Sequence, residues 1–155
     1  METMKVREAE IVYRSRTVES TDPAGIGSRV GSSADAARIL SAWIGPMAVE
    51  HFVVLAISSR NTVKSVNVAG KGSSTFCPVS PADVLRFALL SGEPAFIVSH
   101  NHPGGDPRPS AEDIELTKRL RAAFDMVGLK LLDHIITTEA CHFSFLDAGM
   151  MRTGA

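Results

Sequence analysis

Cysteine, aromatic residues and net charge are all scarce in this chain, and each shortage removes a class of function. The only thiols are Cys77 and Cys141, so neither a disulfide framework nor a cysteine-rich structural metal site is available. Isolated thiols without a signal-peptide pattern point to a reducing cytoplasm. No apolar segment approaches the length that spans a bilayer, so no membrane partner is expected. Sixteen Lys and Arg against seventeen Asp and Glu leave a net charge of −1. Phosphate backbones are held by basic clusters, and the one cluster here is Lys118, Arg119 and Arg121. Direct binding of nucleic acid is therefore not expected. Aromatic residues make up 6% of a chain that is 45% hydrophobic, so any core must be largely aliphatic, with Trp43 inside it. At 155 residues the chain is long enough for one such core.

What the chain does have is a dense polar stretch at residues 99–113, SHNHPGGDPRPSAED. It follows the apolar run Ala95-Phe96-Ile97-Val98, which reads as a buried strand. In extended backbone, side chains two apart share a face, so His100 and His102 stand side by side. Pro103, Gly104, Gly105, Pro107 and Pro109 then force a turn. Ser110 sits where a helix N-cap is expected, with Asp113 three residues on and Ile114, Leu116, Leu120 and Phe124 behind it. A strand end and a helix start converge there. Two imidazoles and a carboxylate, with a fourth position left for water, suit a catalytic zinc ion. Either half alone is ordinary, since Ser-x-x-Asp is a common capping pair. The combination is what points to a metal.

The rest of the chain frames that stretch. An edge strand is expected within residues 5–21, where Ile11, Tyr13 and Val18 alternate with polar residues, followed by a mobile Gly/Ser connector over 22–33. Residues 34–44 read as an amphipathic helix capped by Ser32 or Ser33 and stopped by Gly45-Pro46. Residues 51–57 read as a central strand forming a hairpin with 63–68. A Gly/Ser loop, a candidate flap, covers 69–75, and a short strand 76–79 precedes a helix from Ser80 to Gly92 with Pro81 at its first position. After the helix from Ser110 to Gly128 come strands at 129–137 and 143–146 and a frayed tail at 149–155. This order predicts an α/β or α+β domain, a mixed β-sheet flanked by helices, over residues 33–155, with 1–32 as an N-terminal strand and flexible connector.

His-x-His, seven residues, Ser, two residues, Asp resembles the signature of the JAMM (MPN+) metalloprotease family. The string HNHPGGDPRPSAED resembles its RadC branch, and the likeness extends to Leu132-Asp133-His134-Ile135-Ile136 and to residues 49–55, VEHFVVL. The resemblance implies a cytidine-deaminase-like, three-layer JAB/MPN architecture, Zn2+ as cofactor, and His100, His102 and Asp113 as its ligands. It also implies hydrolysis of a peptide or isopeptide bond in a protein substrate, including ubiquitin-like or sulfur-carrier-like proteins. The chain departs from the RadC pattern at Gly104, where Ser is usual, and at Pro81-Ala82-Asp83, where Pro-Arg-Glu is usual. The N-terminal helix-hairpin-helix region of full-length members is not expected here.

Such chemistry needs a carboxylate to shuttle a proton. The residues alone leave Glu93, Glu112 and Glu115 open. The resemblance implies Glu50 instead, and gives Ser110 a second role in holding the oxyanion. Asn101 and Asp106 read as turn residues, with orientation of substrate or of a supporting water as the alternative, His134 as a support for the site or a core residue, and His51 and His142 as structural or surface residues. A second reading is a RadC-type accessory module in DNA repair, recombination or mobile-element biology that works by binding. A third is a metal-binding scaffold without turnover.

Overall fold

The computed structural model describes residues 22–72 and 79–151. The strand expected within 5–21 and most of the segment 73–79 lie outside the described residues. Among the described residues eight elements follow one another: α1 (Ser33–Ile44), β1 (His51–Ile57), β2 (Val63–Lys71), α2 (Pro81–Ser91), β3 (Ala95–Asn101), α3 (Ala111–Met126), β4 (Lys130–Thr137) and β5 (His142–Ser144). The strands form one sheet in the order β2-β1-β3-β4-β5. β1 pairs antiparallel with both β2 and β3, and β4 pairs antiparallel with β5. β3 and β4 are parallel, because α3 carries the chain back between them. The sheet is therefore mixed, as expected.

Alternation along the strands sorts the core into two layers. Val53, Leu55, Ile57 and Ile97 pack with Ala36, Ala37, Leu40 and Ile44 of α1. Phe52, Val54, Phe96 and Val98 face the other way, against Val84 and Ala88 of α2 and Leu120 and Phe124 of α3. The result is helix, sheet, helices: three layers. β3 has neighbours on both edges and helices on both faces, and all seven of its residues are buried. That is why it reads as an unbroken apolar run until the polar Ser99, His100 and Asn101.

Helix ends follow their capping residues. The Ser32 hydroxyl accepts from the Asp35 amide at 3.2 Å, Pro81 opens α2 behind the Ser80 cap, and Gly92 and Gly128 follow α2 and α3 at φ of 73° and 74°. Gly45 is needed for closeness. A Cβ there would lie 2.3 Å from the Ser41 carbonyl oxygen and 2.7 Å from that of Thr138.

Four expectations are corrected. The connector at 22–33 is tied down: Gly27 and Val30 amides donate to the Val63 and Asn61 carbonyls, Val63 donates to Ser28, and Ala24 and Val30 are buried. β2 runs on to Lys71, taking the first residues of the expected loop, where it still pairs with β1. β5 ends at Ser144, because the Leu146 amide turns back onto the Asp133 carboxylate at 2.9 Å. The tail is anchored as far as Met151, which packs with Ile136 and Phe145.

Candidate metal centre

β3 delivers His100 and the backbone just beyond it delivers His102, while the first turn of α3 delivers Asp113. The two Nε2 atoms are 3.0 Å apart. His100 Nε2 lies 3.1 Å from Asp113 Oδ1, and His102 Nε2 lies 3.5 Å from Asp113 Oδ2. Tetrahedral zinc with bonds of about 2.0–2.2 Å holds its ligand atoms roughly 3.3–3.6 Å apart. His100 and His102 face different oxygens of the Asp113 carboxylate; with one atom taken from each residue, all three lie within 4.8 Å of one another, so the three residues could hold a metal ion. His100 is buried, whereas His102 and Asp113 are partly open, which leaves one side of the group accessible.

Each residue of the group is held by a partner. His102 Nδ1 lies 2.7 Å from the Asp106 carbonyl oxygen, which orients its ring. Asp113 completes a capping box: its amide donates to the Ser110 hydroxyl at 3.1 Å, and its Oδ2 accepts from the Ser110 amide at 2.8 Å. The Ser110 hydroxyl donates to the same Oδ2 at 2.8 Å. Its one proton is thus directed at the Asp113 carboxylate, and donating elsewhere requires that hydrogen to turn away. His100 stacks on Phe52, with ring centroids 6.0 Å apart and planes 10° apart. Its Nδ1 faces His134 Nε2 at 2.9 Å.

The electrostatics follow from this crowding. Burial opposes ionisation of Asp113, but hydrogen bonds from His100 and His102 outweigh it and hold the carboxyl well below the usual carboxylate range. The Asp113 contact in turn raises the pKa of His102, against the effect of burial. Burial pushes Glu50 up, and the charges it senses are those of His100, His102 and Asp113. Glu50 is half-buried just before β1. The β1–β3 ladder ends at Phe52 opposite His100, two residues after Glu50, so Glu50 lies at the end of the sheet where the histidines are.

Thr117 and Asp133 escaped the sequence reading as supporting groups, and Asn101 and Asp106 act otherwise than as turn residues. Asn101 is no turn residue: it is fully buried, its Oδ1 accepts from the His51 amide at 2.7 Å, and its Nδ2 donates to the Met47 and Val49 carbonyls at 3.1 and 3.2 Å. It fastens the segment that carries Glu50 to the strand that carries the histidines. Asp106 acts through its carbonyl, while its exposed carboxyl, paired with Arg108, is lowered to about 2. Thr117 was overlooked; its place one helical turn after Asp113 was the available signal. Asp133 is buried and accepts from the Ser144 hydroxyl at 2.6 Å, locking β5 to β4. His134 does reach the site, whereas His142 is exposed and His51 bonds its own Val49 carbonyl. Cys141 is a free thiol, as expected, and Cys77 lies outside the described residues.

Known proteins resemble this chain over most of its length. A family model described as a RadC-like JAB domain matches residues 30–150. A UPF0758 protein of Shouchella clausii is 40% identical over 124 residues, covering 80% of this chain and 54% of that protein. One from Geotalea uraniireducens is 42% identical over 102 residues, covering 66% of this chain and 45% of its own length. Another, from Symbiobacterium thermophilum, is 31% identical, with 96% of this chain and 70% of that protein aligned. The chain thus spans about half the length of the first two relatives. Among the described residues no helix is long and apolar enough to cross a membrane. With its mixed five-stranded sheet and its His-x-His and Ser-x-x-Asp residues gathered at one point, this chain belongs to the RadC-like JAB domain family.

Proposed function

We propose that this protein is a zinc-dependent hydrolase that cleaves a peptide or isopeptide bond in a protein substrate. The observation that carries the reading is the convergence of His100, His102 and Asp113 at metal-ligand spacing, with the half-buried carboxyl of Glu50 within electrostatic reach. Zinc bound by these three residues supplies Lewis-acid activation of a water molecule and of a carbonyl group.

The chain's own residues do the remainder. Glu50, whose burial makes it a stronger base than an exposed glutamate, takes the proton released from water and later delivers it to the departing nitrogen. Asn101 holds the backbone around Glu50 in place for both transfers. Ser110, by turning its hydroxyl from Asp113, donates to the oxygen that gains charge at the attacked carbon. Asp113 keeps its negative charge throughout, because both imidazoles favour the ionised form. Ubiquitin-like and sulfur-carrier-like proteins are the first substrates to try, and the isolated cysteines suit a reducing cytoplasm.

The test is zinc-loaded protein incubated with a library of peptides and isopeptide-linked conjugates, with new termini read by mass spectrometry. Cleavage that disappears on chelation and in Glu50→Gln, while that variant still holds zinc, is the expected result. Full turnover by Glu50→Gln overturns the role of Glu50, and the absence of any zinc-dependent cleavage overturns the hydrolase reading.

A further inference from the structure

Three short contacts run through the interior from the metal centre and return to it. His100 Nδ1 meets His134 Nε2 at 2.9 Å, His134 Nδ1 meets Thr117 Oγ1 at 2.6 Å, and Thr117 Oγ1 meets the Asp113 carbonyl oxygen at 2.6 Å. His134 and Thr117 lie on β4 and α3, and both are buried, so water is not available to satisfy these atoms. The parallel register sets His134 beside Val98, on the same face of the sheet as His100. Phe145 stacks on the His134 ring at 4.9 Å with planes 7° apart, and Phe52 meets it edge-on. The ring is therefore fixed in position.

The protons in this circuit can be counted. Each contact needs one hydrogen, and a neutral imidazole carries one. The Asp113 carbonyl oxygen can only accept, so the Thr117 hydroxyl must donate to it. Thr117 Oγ1 then accepts from His134 Nδ1–H, which leaves a lone pair on His134 Nε2. That lone pair accepts from His100 Nδ1–H. His100 Nδ1 is thereby committed to donating inward, and Nε2, the atom that faces His102 and Asp113, is the one left for a metal. If His134 carried its proton on Nε2 instead, Thr117 would have to donate to Nδ1. Two oxygens would then meet at 2.6 Å with no hydrogen between them.

We propose that Thr117 and His134 are positioning residues that set the tautomer of His100, so that its Nε2 lone pair is presented to the metal. The circuit begins on the carboxyl group of Asp113 and ends on its carbonyl, so one helical residue both offers a ligand atom and anchors the relay that prepares another. His102 reaches the same tautomer more simply, through the Asp106 carbonyl. Partners of this kind raise ligand basicity and fix ring orientation. This inference rests on the metal centre proposed above, but its tautomer prediction concerns the metal-free protein as well.

The experiment uses the full chain as wild type, Thr117→Val, Thr117→Ser, His134→Phe and His134→Gln. Zinc affinity is measured by competition with a chromophoric chelator, and folding is checked by circular dichroism. Nitrogen-15 NMR of the ring nitrogens assigns tautomers in the metal-free wild type. Thr117→Val and His134→Phe are expected to weaken zinc binding on the order of 10–100-fold. Thr117→Ser, which keeps the hydroxyl, and His134→Gln, which keeps an acceptor and a donor, are expected to recover most of that loss. The spectrum is expected to show a proton on Nδ1 of both His100 and His134, with Nε2 of His134 unprotonated. An Nε2–H form of His134, or wild-type zinc affinity in a folded Thr117→Val, overturns the proposal. A wild type that binds no zinc overturns the metal centre instead, and the tautomer spectrum then decides the relay by itself.

Discussion

Replacing Asn101 tests the link between the two halves of the site. In Asn101→Ala the His51 amide loses the oxygen 2.7 Å away, and an unsatisfied donor in a half-buried position costs about 1–3 kcal/mol. The two carbonyls suffer less. Val49 keeps the His51 ring as a partner at 2.9 Å, and Met47 is exposed, so water can reach it. A loss of about 2 kcal/mol corresponds to a fall in Tm of about 4–8 °C for a domain of this size. Asn101→Asp separates acceptor from donor: it still accepts from His51 but puts a carboxylate oxygen against carbonyl oxygens that now stand 3.1 and 3.2 Å from Nδ2. A buried charge facing acceptors costs several kcal/mol, so the Asp variant should be the less stable of the two at neutral pH. Thermal unfolding in the presence of chelator, which removes any contribution from bound metal, gives both numbers. Hydrogen exchange at the His51 amide reports the local loosening. The reasoning is refuted if Asn101→Asp unfolds at the wild-type temperature, because the donations to Met47 and Val49 would then contribute nothing.

Ser110→Ala removes both the cap of α3 and a donor to the Asp113 carboxylate. Unfolding free energy should drop by about 1 kcal/mol, and chelator competition should show zinc held about tenfold more weakly; unchanged zinc affinity would leave Ser110 as a cap alone. Asp133 gives a pH dependence, since burial raises its pKa above the ordinary 3.8 against the donations of Ser144 and Leu146. Between 3.8 and that raised value the unfolded chain ionises first, so a contribution fully present at lower pH is lost as pH rises through the window. Asp133→Asn does not titrate, and the difference in denaturant-unfolding free energy, wild type minus variant, should therefore fall with rising pH across that range. A difference independent of pH would contradict the assignment.

The residues of the candidate metal centre were legible because local rules place them. Period two along β3 aligns His100 with His102, and the capping pattern puts Asp113 in the first turn of α3. Those rules act within a few residues of sequence. Asn101 carries no such signal: in a segment rich in Pro and Gly it resembles a turn residue, and only the pairing of β1 with β3 brings it to residues 47–51. Thr117 and His134 are likewise joined by the docking of α3 on β4, which no spacing in the chain encodes. The connector at 22–33 looked mobile from composition, yet its backbone finds partners at the start of β2, because a Gly/Ser segment can pair through its main chain as well as any other. Phe145 and Leu146 continue an apolar pattern, but the Asp133 carboxylate ends the strand before them.

The most direct test is the zinc content of protein purified without added metal, measured by elemental analysis for wild type, His100→Ala and Asp113→Ala. The account predicts about one zinc ion per wild-type chain and little in either variant, because two remaining ligands do not complete the site. Wild-type protein that stays metal-free after zinc is supplied, or variants that keep their zinc, would contradict it.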